Sequence, residues 1–172
     1  MAGASWRREQ RPVLDLPRGP SEIVAELLAL AGVIGTLVVL RRAWPDLPDR
    51  VPTHFGPTGE PDAWGRKASL LFPPIVMMVL YTGLTILSRY PHIFNYPWRI
   101  TAENAARQYR LARAMLSWLK AELVWLFAYL VWGVVRVAQG QAAGLGVAFL
   151  PVALLASFGT LGGYLWAAAR AR

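Results

Sequence analysis

The sequence predicts an all-α integral membrane protein, a four-helix transmembrane bundle with an ordered extracytoplasmic loop rich in proline and glycine. Of the 172 residues, 55% are hydrophobic and only 16% are charged, a composition more apolar than that of most soluble domains. Four stretches are long and apolar enough to cross a hydrocarbon core about 30 Å thick, which needs roughly 20 helical residues. The loop between the first two stretches is stiffened by Pro45, Pro48, Pro52, Pro57 and Pro61.

We predict the four spans at about residues 22–40, 68–88, 114–136 and 144–168. They form one transmembrane domain, residues 21–172, which follows a basic N-terminal segment, residues 1–20. The third span continues a longer helix, because no proline interrupts the chain from Thr101 to Ala138. Thr101 is the expected N-cap of that helix, and Glu103 falls in its first turn, where the helix dipole favours an anion.

The distribution of basic residues predicts that both termini are cytoplasmic. The side that holds the termini carries eleven basic residues near the spans: Arg7, Arg8, Arg11, Arg18, Arg89, Arg99, Arg107, Arg110, Arg113, Arg170 and Arg172. The other side carries six: Arg41, Arg42, Arg50, Arg66, Lys67 and Arg136. Because basic residues are retained on the cytoplasmic side, the loop 41–67 is expected to lie outside.

Composition excludes several classes of function. The chain has no cysteine, which removes disulfides, thiolate metal sites and cysteine nucleophiles, and two histidines are too few for a His-rich metal centre. A net charge of +8 in so apolar a chain is typical of topology signals and lipid headgroup contacts. We therefore expect the lipid bilayer as a partner and no nucleic acid.

The outer loop, residues 41–67, is the first candidate site. Its prolines disfavour a long helix or a central strand, so we expect an extended, turned surface in which Gly56, Gly59 and Gly65 permit positive φ. Trp44 and Trp64 are expected near the membrane interface. The candidate ligand-binding residues are His54, Phe55, Glu60, Asp62, Trp64 and Lys67.

Three of these residues have a second interpretation. His54, Glu60 and Asp62 offer an imidazole and two carboxylates, which suit a divalent cation, although their spacing matches no established zinc motif. The simpler interpretation is a turn whose polar side chains bond to each other and to the backbone, with His54 hydrogen-bonded to Asp62 or Glu60. On that interpretation no cofactor is expected.

A second polar cluster is predicted on the inner side, from His92, Asn95, Glu103 and Asn104. The charge distribution places it across the membrane from His54, so the two histidines are not expected to share a ligand, and a bis-histidine haem is disfavoured. The alternative is that His92 is an interfacial or helix-end residue.

Charges inside the spans form a third candidate site. Glu26 and Lys120 lie at similar depths from the inner ends of the first and third spans, and we predict an ion pair between them, with Glu122 nearby. Separate snorkelling of each group to the headgroups is the alternative. On the fourth span, Gly159 and Gly163 are expected to pack against another helix of the chain, with a homodimer as the alternative.

Several short strings resemble one membrane protein family. They are Trp44–Pro48, Val51–Gly56, Gly59–Lys67, Phe94–Pro97, Glu103–Asn104 and Gln108–Tyr109. Over about residues 36–120 the chain resembles the N-terminal domain of SdpI-like proteins, named after the immunity protein against the sporulation-delaying toxin. The resemblance implies a multi-pass protein of the bacterial cytoplasmic membrane. Some members confer toxin immunity and signal through a repressor captured at the membrane.

The sequence therefore favours a non-enzymatic membrane protein that binds a peptide toxin or signal at its outer loop, with a cytoplasmic regulator as a second partner. The alternative is a membrane-embedded, metal-dependent hydrolase or peptidase that uses the same loop, although no nucleophile motif such as Gly-x-Ser-x-Gly is present. A small transporter is the third class, and it is weakened by the few charges inside the spans.

The topology is testable because the chain has no native cysteine. We expect a Thr58→Cys variant to react with a membrane-impermeant maleimide in intact cells, and a Gln10→Cys variant to react only after lysis. The reverse pattern of labelling would place the loop inside the cell.

Overall fold

The computed structural model describes residues 11–172. Residues 1–10, which include Arg7, Arg8 and Gln10 of the basic N-terminal segment, lie outside the described residues. The elements in chain order are α1 (Pro20–Ala43), β1 (Arg50–Phe55), β2 (Pro61–Arg66), α2 (Phe72–Leu87), α3 (Ala105–Ala138) and α4 (Phe149–Ala169). Short 3₁₀ turns occupy Trp44–Asp46, Lys67–Leu71 and Pro91–Ile93.

The four helices confirm the predicted fold class, and each is long and apolar enough to cross a membrane. α3 is the central helix, against which α1, α2 and α4 all pack. In mid-bundle, Ala29 and Val33 of α1 and Met77 of α2 pack against Ala121 and Val124 of α3. The chain is thus a multi-pass membrane protein.

The two ends of the bundle differ. At the terminal end, Gln108 Nε2 donates hydrogen bonds to the carbonyls of Ala168 (2.9 Å) and Ala171 (3.1 Å), while Arg113 donates to the carbonyl of Leu16 (2.7 Å). Both ends of the described chain therefore lie on one side, as an even number of crossings requires. The strands lie at the opposite end, which we call the hairpin end.

The loop of residues 41–67 contains a β-hairpin, which agrees with the extended, turned structure that the sequence predicts. β1 and β2 pair antiparallel, with Val51 opposite Gly65 and Pro52 opposite Trp64. A two-stranded sheet consists only of edges, so a proline can turn its missing donor away from the partner strand. Of the three predicted glycines only Gly59 has positive φ (81°), whereas Gly65 is needed for space, because its Cβ would lie 2.6 Å from Thr53 Cγ2.

Two predicted helix starts are wrong. α3 begins at Ala105 with Asn104 at its N-cap position, because Thr101 instead forms a separate turn in which its N–H donates to Asn104 Oδ1 (2.9 Å). The Thr101 hydroxyl also hydrogen-bonds Glu103 and lowers the pKa of that carboxyl. α4 begins at Phe149 rather than near residue 144, since Gly140 and Gly146 both have positive φ in the preceding linker.

The predicted packing of Gly159 and Gly163 is also wrong. A Cβ built at either glycine meets nothing within 4 Å, so among residues 11–172 no helix packs closely on the face of α4 that carries them. The expected close approach occurs instead at Gly32 of α1, where a Cβ would lie 2.7 Å from Val124 Cγ1 on α3.

Two ion pairs join α1 to α3. Near the terminal end, Arg113 Nε lies 3.0 Å from Glu22 Oε1, and both side chains are buried. Deeper in the bundle, Lys120 pairs with Glu26, which is the contact that the sequence predicts. α2 completes this polar layer, since Tyr81 donates to Glu26 Oε1 (2.7 Å) and Thr85 accepts from Lys120 (2.9 Å).

Glu122 does not join that layer. Its Oε1 atom accepts a hydrogen bond from Thr160 Oγ1 of α4 (2.5 Å), and its Oε2 atom is buried without a hydrogen-bond partner in the described part of the chain. The three predicted intramembrane charges therefore separate into a pair and a single carboxylate.

We expect Glu26→Gln and Lys120→Met each to lower the free energy of unfolding by about 2 to 4 kcal/mol, because each leaves a charged group without its counter-ion in apolar surroundings. The double variant should lose less than the sum of the two single losses. Unfolding in mixed micelles measures all three values, with the exposed Glu60→Gln as the control. Strictly additive losses would contradict the pairing.

Candidate ligand-binding site at the hairpin end

The hairpin is anchored at its base by an apolar cluster. Val51 of β1 is fully buried against residues of α3 and of the segments that flank the hairpin. The buried members of this cluster are Leu47, Val51, Leu70, Val131, Val134 and Val135. The base of the hairpin is therefore a part of the core.

Polar contacts hold the same base. Lys67 Nζ donates to the carbonyl of Leu47 (3.2 Å) and lies 5.1 Å from the centre of the Trp44 ring. The backbone N–H of Lys67 donates to Asp49 O (2.8 Å). Lys67, which is predicted to bind ligand, thus joins the two ends of the hairpin by hydrogen bonds.

The hairpin tip is fixed by the linker between α3 and α4. Leu145 N donates to Gly59 O (2.8 Å). The approach is so close that a Cβ at Gly144 would lie 2.1 Å from Gly59 O, and a Cβ at Gly59 would lie 2.9 Å from Gly146 O. Only glycine allows two backbones to meet in this way.

The linker is in turn held by α3. Tyr129 donates to Leu145 O (2.8 Å) and stacks on Phe149, with ring centres 5.1 Å apart. The Leu145 side chain fits beside Gly133, where a Cβ would lie 2.3 Å from Leu145 Cδ2. The hairpin tip, linker and α3 therefore form one continuous structure.

These elements line an open cavity of about 450 Å³, which we call the hairpin cavity. Its walls come from the hairpin, the start of α2, α3, the linker and the start of α4, and they are mainly apolar. The principal wall residues are Phe55, Phe72, Leu130, Val134, Val147 and Phe149. Thr53, His54 and Ser69 add polar groups.

His54 and Asp62 form an exposed pair beside this cavity. His54 Nδ1 lies 2.6 Å from Asp62 Oδ1, and the side chains are 69% and 52% exposed. The predicted hydrogen bond of His54 is thus confirmed, with Asp62 as its partner. An imidazole that donates its Nδ1–H to Asp62 keeps Nε2 for contact with a ligand.

The other predicted loop residues have separate positions. Phe55 lines the cavity, whereas Trp64 is 42% exposed and does not line it. Glu60 is exposed, and its backbone carbonyl accepts from Gly56 N (2.8 Å) within the turn. Within residues 11–172 no three His, Asp or Glu side chains are grouped so that they could hold a metal ion. Divalent metal at His54, Glu60 and Asp62 stays a prediction.

Residues of the second predicted cluster make separate contacts. The backbone carbonyl of His92 accepts from Arg11 (3.3 Å), and Asn104 Nδ2 donates to the carbonyl of Arg99 (3.1 Å). In the part of the chain that the structure describes, no hydrogen bond joins His92 or Asn95 to Glu103 or Asn104. A ligand site from these four residues stays a prediction.

Sequence reasoning missed the far wall of the cavity. Phe72, Leu145, Val147 and Phe149 lie on segments that the sequence reads as spans or as their ends. One signal is present in the linker, where Gly144 and Gly146 interrupt the start of the predicted fourth span.

Comparisons with known proteins match the hairpin region and leave its function open. A family described as "Domain of unknown function (DUF1648)" matches residues 31–78, from mid-α1 into α2. An uncharacterized protein of the archaeon Archaeoglobus fulgidus is 39% identical over 59 residues, which is 30% of this chain. The match covers about a third of that relative's length (32%). No solved structure matches the chain.

The close contact of hairpin and linker predicts the effect of a single methyl group. Gly144→Ala should lower the free energy of unfolding by about 1 to 3 kcal/mol, because the new Cβ meets backbone that cannot move independently. Faster amide hydrogen exchange at Leu145 would report loss of its bond to Gly59. Gly162→Ala on α4 is the control, since its Cβ meets nothing within 4 Å. Equal stability of the two variants would contradict the contact.

Proposed function

We propose that this protein is a non-enzymatic receptor of the bacterial cytoplasmic membrane that binds a peptide toxin or peptide signal from outside, in the hairpin cavity. The observation that carries the proposal is the cavity itself, with apolar walls and the His54–Asp62 pair beside it. The resemblance of the loop to SdpI-like proteins supports the same function, because some of those proteins confer immunity to a peptide toxin.

The size and rigidity of the cavity suit a peptide. Ligand pockets of about 300 to 1,000 Å³ are typical of proteins, and 450 Å³ accommodates a few large apolar side chains. The hairpin is held at its base by Val51 and at its tip by Gly59. Ligand binding therefore costs little conformational entropy in the protein. Apolar side chains of a peptide would fill the cavity, and its polar groups would meet His54.

The same helices offer a route for a signal. α2, α3 and α4 line the cavity and extend to the terminal end, where a cytoplasmic regulator would bind. The Glu26–Lys120 layer joins α1, α2 and α3 on the way. In this proposal it acts as a polar joint that transmits a change of helix packing.

We expect Asp62→Ala to weaken binding of an amphipathic peptide about three- to tenfold, because His54 loses the carboxylate that orients it. Phe72→Ala should weaken binding further, since it removes an apolar wall. The protein in lipid nanodiscs is titrated with a synthetic amphipathic helical peptide that carries an environment-sensitive fluorophore. A peptide of the same composition in scrambled order is the ligand control.

Two hairpin variants serve as matched controls. Asp49→Ala removes the same charge as Asp62→Ala from an exposed position before β1. Arg50→Ala removes a side chain that donates to Trp64 O (3.0 Å) away from the cavity. If all variants bind like the wild type, or if the scrambled peptide binds equally well, the cavity is not the receptor site.

The alternative function is a metal-dependent hydrolase or peptidase that acts at the same loop. It is favoured by the exposed His54–Asp62 pair, which has the geometry of an oriented imidazole. Elemental analysis of the purified protein separates the two functions. Stoichiometric zinc that is lost in His54→Ala would support the hydrolase, and its absence together with peptide binding would support the receptor.

A further inference from the structure

An apolar cleft runs along one face of α3, between α1 and α4. On the α1 side a groove of about 360 Å³ is lined by Gly32, Gly35 and Thr36 together with the aromatic residues of α3. On the α4 side a groove of about 440 Å³ is lined by Val152, Ala153 and Ala156. Trp125 and Tyr129 line both grooves, which therefore form one feature that we call the lateral cleft.

The walls of the lateral cleft consist of small residues, and its floor consists of aromatic residues. Gly35 carries no side chain, and a Cβ placed there meets nothing within 4 Å. Trp125, Tyr129 and Trp132 lie on one face of α3 and remain 50%, 39% and 40% exposed. Small residues let a neighbouring helix backbone approach closely within a membrane. The shape is thus that of a slot for one more helix.

A carboxylate lines this apolar slot. Glu122 lies near the middle of α3, opposite Thr160 near the middle of α4, and it belongs to the lining of the α4 side. Thr160 satisfies one oxygen, while Oε2 is buried and has no hydrogen-bond partner among the described residues, so the Glu122 side chain must turn toward the groove that it lines to meet a partner there. Ionisable groups at membrane depth are costly unless they are paired, so a partner that supplies a cation or donor gains a specific contact here.

We propose that the lateral cleft binds an apolar transmembrane helix that carries one basic side chain near its middle, which pairs with Glu122. The inference rests on the proposed receptor function and names the membrane-inserted part of the same peptide ligand. The hairpin cavity and the cleft share Phe149 as a wall, so one peptide can occupy both.

A second copy of this chain fits the cleft less well. Near the middle of the described spans the basic side chain is Lys120, which is already paired with Glu26. At that depth the described spans of a second copy therefore offer Glu122 no unpaired cation. Charge complementarity favours a different partner that brings its own lysine or arginine.

The experiment uses synthetic helices as probes. Each is a Leu/Ala helix of about 20 residues, enough to span a bilayer, with Lys, Leu or Glu at the central position. The full-length protein carries an acceptor fluorophore on Thr58→Cys, and energy transfer from labelled probes is measured in phosphatidylcholine vesicles. We expect the Lys probe to associate about tenfold more strongly than the Leu probe, and the Glu probe most weakly.

Variants connect this preference to the cleft. Glu122→Gln should abolish the preference for Lys. Thr160→Val should increase it, because both oxygens of Glu122 then lack a partner. Gly35→Leu should weaken association of the Lys probe by filling the cleft, whereas Gly83→Leu on α2 should not, although neither glycine has a neighbour within 4 Å of its Cβ. The opposite effects expected of Glu122→Gln and Thr160→Val exclude a general loss of folding as the cause.

Three outcomes would overturn the proposal. The first is equal association of the Lys and Leu probes with the wild type, and the second is a Lys preference that survives Glu122→Gln. The third is energy transfer between protein copies that Gly35→Leu removes, which would assign the cleft to a homodimer. If the amphipathic peptide does not bind at the hairpin cavity but the preference for the Lys probe persists, the proposed receptor site at the cavity is rejected and the proposed helix-binding site at the cleft is retained.

Discussion

The requirement that charges within a membrane be paired determines how this bundle is assembled. Glu22 and Glu26 are one helical turn apart on α1, and their partners Arg113 and Lys120 lie two turns apart on α3. Two such contacts fix both the register and the rotation of α1 against α3, because sliding either helix would break both. α2 joins the same layer through Tyr81, so three of the four helices are linked by hydrogen bonds to Glu26.

α4 depends on different forces. It packs chiefly on α3, and most of its large apolar side chains are exposed for contact with lipid. Gln108 binds carbonyls at its last turn, Tyr129 holds the linker that precedes it, and Thr160 near its middle donates to Glu122. Because α4 packs chiefly on α3, the face of α3 between α4 and α1 stays open, which is the physical origin of the lateral cleft.

Features set by local sequence or by depth in the membrane could be predicted, and features that depend on contacts between two irregular segments could not. Span lengths follow from apolar runs, and the Glu26–Lys120 contact follows from depth along two helices. The hairpin cavity depends on the hydrogen bond between Leu145 and Gly59, which lies 86 residues earlier in the chain. No local sequence pattern predicts that contact. Thr101 illustrates the limit at short range, since it suits an N-cap, but its N–H bonds Asn104 and the helix starts later.

The bond between the hairpin tip and the linker also sets an order of events during biosynthesis. The hairpin is synthesised with the first half of the chain, but its tip has no contact partner until residues 144–146 have emerged from the ribosome. The cavity is therefore completed only after three spans have already entered the membrane. A chain that stops before residue 144 would hold its two ion pairs and lack the contact that fixes the hairpin tip beside the cavity.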